Sequence, residues 1–209
     1  MGETETPLWH NSRYSATAKN CMWSPGTKSL IYSAAIANIV IAVGTFAILG
    51  WNSAAAHAAA RNSARFATVC FLIALAGPGL HRFTSRLPSS PALLWTWFAA
   101  HLVHFASVAL LLVAFERAQI VQHPGRTLVV LLIGSGVVFG AALTASSHSR
   151  AGVVIHNISL YAVFTLFTLA FTHNRVIALR FLAVALGLAL VLRLTAIFKP
   201  ATTRAASAP

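Results

Sequence analysis

Six stretches of the chain are almost wholly apolar: roughly Leu30–Trp51, Ala64–Phe83, Ala92–Phe115, Leu128–Ser147, Val153–His173 and Ile177–Phe198. Each comes close to the ~20 residues a helix needs to cross the hydrocarbon of a bilayer. Inside a bilayer no water satisfies backbone N–H and C=O groups, so runs of this kind close their hydrogen bonds within themselves, as helices. The expected fold is all-α, a polytopic membrane bundle of six transmembrane helices over residues 28–199. A polar tail, 1–27, precedes it, and a disordered tail of small residues, 200–209, follows. The short connections hold the charges and breakers, among them Arg61, Arg65, Arg82, Arg86, Glu116, Arg126 and Arg150. Gly77-Pro78-Gly79 near the end of the second run predicts a bend or a stop, because proline removes a helix hydrogen bond.

Composition agrees. Only 9% of residues are charged and 57% are hydrophobic, against about 25% charged in a soluble domain. That excludes an ordinary soluble enzyme, a disordered chain and a disulfide scaffold. Fifteen Lys and Arg against three acids give a net charge of +12. The basic residues are scattered singly between apolar runs and form no stripe for a phosphate backbone, so no nucleic-acid partner is expected. Basic residues in short loops instead set orientation. Eight flank one side of the spans and six the other, which places both termini in the cytoplasm of what is read as a bacterial inner-membrane protein. Residues 1–27 lack the apolar core of a signal peptide. Glu3 and Glu5 lie in the tail, Glu116 at a span end, and there is no Asp. Ion-coupled transport, which needs carboxylates inside the membrane, is therefore disfavoured.

Nine histidines stand beside those three acids. His101 and His104 fall inside the third run and His156 in the first turns of the fifth. An intramembrane imidazole turns to the bundle interior and a partner. One partner is a carbonyl or hydroxyl of a neighbouring helix. Three such histidines on two runs, with no carboxylate to pair with, also point to a metal, since neutral imidazole is a common ligand. Non-heme zinc or iron would recruit Cys or carboxylate beside His. Heme iron needs only one or two axial imidazoles, an apolar slot and nearby cations. With helices starting at Ala92 and Val153 on one face, His101 lies about 9 Å deeper than His156 and His104 about 13 Å deeper. Depth favours His101 as the partner, and both remain open.

Arg61-Asn62-Ser63-Ala64-Arg65-Phe66, Ala100-His101-Leu102-Val103-His104-Phe105, Ala142-Leu143-Thr144-Ala145-Ser146 and Ile155-His156-Asn157 together resemble the ferric reductase-like transmembrane domain. That superfamily includes the heme-binding membrane subunit of the bacterial methionine sulfoxide reductase system. The resemblance runs over about residues 61–175. It implies a six-helix b-type cytochrome that passes electrons across or along the membrane, with His104 and His156 as ligands of one heme b per chain. His101 would be a substitute ligand or a donor beside it, and Arg65 and Arg61 propionate contacts. A second heme is not implied, because the stretches Val113–Arg117 and Leu169–Ala170 hold no histidine. No dinucleotide fingerprint occurs, so the electron source is a separate redox protein or membrane quinol.

The reading from sequence is thus a membrane electron-transfer subunit in the lipid bilayer, with no catalytic residue of its own. A heme-free integral membrane subunit packed in a larger complex is the alternative, carried by small residues such as Gly134, Gly136, Gly140, Ala141 and Ala142 that let helices approach. A small-molecule transporter ranks third. Tyr161, Phe164, Phe167 and Phe171 share one face of the fifth run. They either fill the core or, at Tyr161 and Phe164, line the heme slot beside His156.

Overall fold

The computed structural model describes residues 24–81, 83–84, 87–147, 149–172 and 177–198. The rest of both tails, with Arg82, Arg86, His148 and His173, lies outside the described residues. Among the described residues the chain is helical throughout, as α1 (Pro25–Leu49), α2 (Ser53–Leu80), α3 (Ser90–Leu110), α4 (Arg117–Gln122), α5 (Pro124–Leu143), α6 (Arg150–Thr172) and α7 (Ile177–Phe198). Four helices have the length and apolar composition to cross a membrane, where the sequence predicted six spans. They are α1, α2, α6 and α3 taken together with the turn that continues it to Phe115.

Polar residues at the ends place the helix boundaries. α1 begins at Pro25, inside the expected tail, because Ser24 Oγ accepts the Thr27 N–H at 3.3 Å and Pro25 presets the first helical φ. Asn52 Oδ1 caps α2 at 2.9 Å from Ala55 N. That helix therefore starts eleven residues before the apolar run, and Arg61 and Arg65 sit within it rather than in a connection. The alanines at positions 54–56 and 58–60 explain the extension, since Ala has the highest helix propensity and no side-chain entropy to lose. Pro78 lies inside α2, which ends two residues later at Leu80. α3 widens into a π-helical turn over Leu111–Phe115, where the Glu116 N–H reaches back to the Leu111 carbonyl.

α2 packs on α1, α3 and α7; α6 packs on α5 and α7; and α3 packs on α1 and α5. Helices α2, α7, α6, α5 and α3 thus close a ring, with α1 outside against α2 and α3. The ring encloses the main core, including Phe71, Leu75, Trp97, Phe98, Leu160, Val163 and Leu186. Small residues set the spacing. A Cβ on Gly79 would enter the backbone carbonyl of Leu192 on α7, and one on Gly140 would lie 2.5 Å from Ser159 Oγ on α6. Large apolar side chains such as Ile36, Val40, Leu132, Ile133 and Leu188 face outward, as they must if the solvent around the bundle is lipid.

Gly79→Leu is expected to force α2 and α7 apart and to cost about 1–3 kcal/mol or more, as overpacking does. Gly134→Ala, which meets nothing within 4 Å, is the matched control. Thermal unfolding in detergent should separate the two variants, and equal midpoints would refute this account of the α2–α7 contact.

Candidate functional site

The intramembrane polar groups form two clusters. The first joins α1, α2 and α3. Asn38 is fully buried, and its Nδ2 donates to the Ala100 carbonyl at 2.7 Å and to the Ser63 carbonyl at 3.4 Å. Ser63 Oγ donates to the Ala60 carbonyl at 3.0 Å and lies 3.2 Å from His104 Nδ1. The Ala60 carbonyl is a hydrogen-bond partner of the His104 imidazole as well, so one ring N–H of His104 is given to α2, and in the Nδ1–H tautomer Nε2 keeps its lone pair.

One turn earlier on α3, His101 is 5% exposed, and its Nδ1 is buried with no hydrogen-bond partner. It stands in an aromatic setting, with ring centroids at 4.8 Å to Phe105, 5.3 Å to His104, 5.5 Å to Trp97 and 5.8 Å to Phe167. Phe71 completes the packing, at 5.1 Å from Trp97 and 5.4 Å from Phe167. The α6 residue that meets a histidine of α3 is therefore Phe167. Phe164 is half-buried against the main core. Tyr161 is half-buried too, and its carbonyl accepts from Thr165 Oγ1 at 2.9 Å.

The second cluster contains His156. Its Nδ1 is 2.8 Å from the Ala141 carbonyl of α5. A carbonyl can only accept, so Nδ1 carries the hydrogen and Nε2 is open. The cation near His156 is Arg193 of α7, which is within electrostatic reach. Arg65, the propionate contact that the resemblance implies, instead donates to Asn62 Oδ1 at 3.2 Å on α2.

Contacts fix the register of the two clusters. Leu192, next to Arg193, abuts Gly79, and a Cβ on Gly77 would lie 2.8 Å from Leu93 Cδ1. His156 thus belongs to the Leu93 end of α3. Phe167, level with His101, is eleven residues further along α6, which is about 16 Å of helix. His104 is one turn beyond His101, so His104 and His156 are separated by roughly 20 Å along the bundle. This exceeds the 9–13 Å estimated from run starts because α6 is seated by Ser159 against Gly140, not by the first apolar residue of its run. Among the described residues no three metal-ligating side chains converge.

Glu116, at the far end of α2, accepts from Ser53 Oγ at 3.0 Å and lies 3.1 Å from His57 Nε2. The sequence reading missed Asn38, Ser63 and this clasp. A lone Asn in an otherwise apolar run was the available signal for the first, since a polar group in hydrocarbon needs a partner. No family model, no curated protein and no solved structure matches the chain. The fold therefore defines a class only: an all-helical protein with several helices long and apolar enough to span a membrane.

Asn38→Ala removes the bridge to the Ala100 and Ser63 carbonyls and is expected to lose about 1–2 kcal/mol, the scale of interhelical hydrogen bonds in membranes. Ser135→Ala removes a hydroxyl bonded within its own helix and should change stability by less than about 0.5 kcal/mol. Unfolding in mixed detergent micelles compares them, and equal losses would deny Asn38 its bridging role.

Proposed function

We propose that the chain is an integral membrane electron-transfer subunit of the b-type cytochrome kind, a six-span bundle with both termini in the cytoplasm of a bacterial inner membrane. The two further spans are α5, 20 residues, and α7, 22 residues, each about 30 Å long or more and so able to cross the hydrocarbon. The observation that carries the proposal is the hydrogen-bond state of the two imidazoles. His156 gives Nδ1–H to the Ala141 carbonyl of α5, and His104 gives a ring N–H to α2, where Ser63 and Ala60 stand; a bond of this kind to a neighbouring helix orients and strengthens a histidine ligand. The resemblance to the ferric reductase-like domain selects heme among the metals such an atom could bind.

The donor chemistry of each imidazole fits axial ligation of heme iron. Opposite ligation of one iron requires two nitrogens about 4 Å apart, twice a metal–imidazole bond, and the register of α3 and α6 does not fit that. The two imidazoles would not hold one iron between them, so a single heme would be held by His104 or by His156 alone. When bound, heme supplies a one-electron iron couple. The chain's own part is to hold the imidazoles through Ser63 and Ala141, and to exclude water with the Phe71, Trp97 and Phe167 rings. The electron donor is a separate redox protein or membrane quinol.

A second reading, a heme-free subunit packed within a larger membrane complex, is favoured by one observation: the rings of Phe71, Trp97, His101 and Phe167 already fill the space between α2, α3 and α6. Spectroscopy separates the two. Protein expressed with ample heme should show a Soret band with a high-spin, five-coordinate signature. One of the variants His104→Ala and His156→Ala should abolish the band, and the other should keep it. No Soret band overturns the cytochrome reading, and a low-spin spectrum abolished by either variant alone overturns the single-ligand assignment.

A further inference from the structure

Arg193 is a cation of the apolar bundle that has no counter-ion among the described residues. It lies on α7, five residues before Phe198. Its Nε is buried and has no hydrogen-bond partner. A guanidinium stays charged under all protein conditions, and one held within a bilayer pairs with an anion or reaches water. The elements packed around it offer no anion. On α6 the imidazole of His156 is within electrostatic reach, and its Nδ1 is already given to Ala141. On α2 the neighbouring segment is Gly77-Pro78-Gly79, followed by His81, which bonds the Pro88 carbonyl at 2.6 Å. The one acidic side chain between Pro25 and Phe198 is Glu116. It is bonded to Ser53 at the start of α2, whereas Arg193 is beside Gly79 near its end. Twenty-six residues of α2 lie between them, about 39 Å of helix. No carboxylate of the transmembrane region reaches Arg193.

The geometry points to an oxyanion-binding site at Arg193, where α7 packs on α2 and α6. It takes the phosphate or carboxylate of an amphiphile whose apolar body lies in the bilayer. The guanidinium is a planar fork that matches either oxyanion in two-point contact, and the His156 imidazole is within electrostatic reach of it. A phospholipid phosphate and a porphyrin propionate share this chemistry. Phospholipid binding is independent of the heme proposal, so failure of one is distinguishable from failure of the other.

The test uses the full chain in detergent with two probes. In the first, phosphatidylglycerol is titrated and bound lipid is counted by native mass spectrometry. In the second, hemin and its dimethyl ester, which lacks free carboxylates, are titrated by absorbance. If the anion is a phosphate, Arg193→Gln weakens the lipid about tenfold; if it is a propionate, the variant weakens hemin about tenfold and leaves the ester unchanged. Arg180→Gln, an exposed residue of the same helix, removes the same charge and should match wild type. Circular dichroism checks that the variants fold. Should Arg193→Gln not fold, Arg193→Lys decides, because it keeps the charge and loses the fork. Its expected weakening is about threefold, and a change below about twofold with both probes overturns the site. Wild-type affinity of Arg193→Gln for both probes overturns it equally.

Discussion

Most polar groups placed in the apolar interior find a partner within the chain, with His101 Nδ1 and Arg193 Nε among the exceptions, and this requirement organises the bundle. Asn38 is the clearest case. Its amide on α1 holds the carbonyls of Ser63 on α2 and Ala100 on α3, so one side chain ties three helices at one level. Without carboxylates inside the membrane, such ties are neutral hydrogen bonds, mostly to backbone carbonyls. Thr45, Thr68, Thr96 and Ser107 follow the same rule locally, each donating to the carbonyl four residues back.

The same requirement prepares the histidines. A neutral imidazole has one N–H and one lone pair, so the partner given to one nitrogen determines what the other can do. Ala141 takes Nδ1–H of His156, and His104 is bonded to α2 at Ser63 and Ala60. His101 has neither constraint. It is held by ring packing, with an unpartnered Nδ1 among Trp97, Phe105 and Phe167. Three histidines that look alike in an apolar sequence thus have two different chemical states.

Small residues decide how closely the helices come and so where those states sit. Gly79 admits the Leu192 backbone and Gly140 admits Ser159. These two approaches set α7 and α6 lengthwise, and with them the levels of Arg193 and His156. Lipids give no hydrophobic drive for helices to associate, so close van der Waals packing has to supply it, and glycine positions carry more of the register than large side chains do.

The sequence by itself determined that the chain is helical and built for a bilayer, because charge scarcity and run length act locally and leave no other way to satisfy the backbone. It also showed which polar residues had to face inward, His101, His104 and His156 among them. It misjudged the start of α2, because an alanine-rich stretch continues a helix without being strongly apolar, and it gave no sign that Arg65 bonds Asn62 or that Arg193 is within electrostatic reach of His156. Only the tertiary structure decided who meets whom: Ser63 with His104, Ala141 with His156, Phe167 with His101. The reason is physical. Periodicity fixes the face on which a residue lies, whereas its depth relative to another helix depends on where two backbones lock together, and that is set by contacts between residues far apart in the chain.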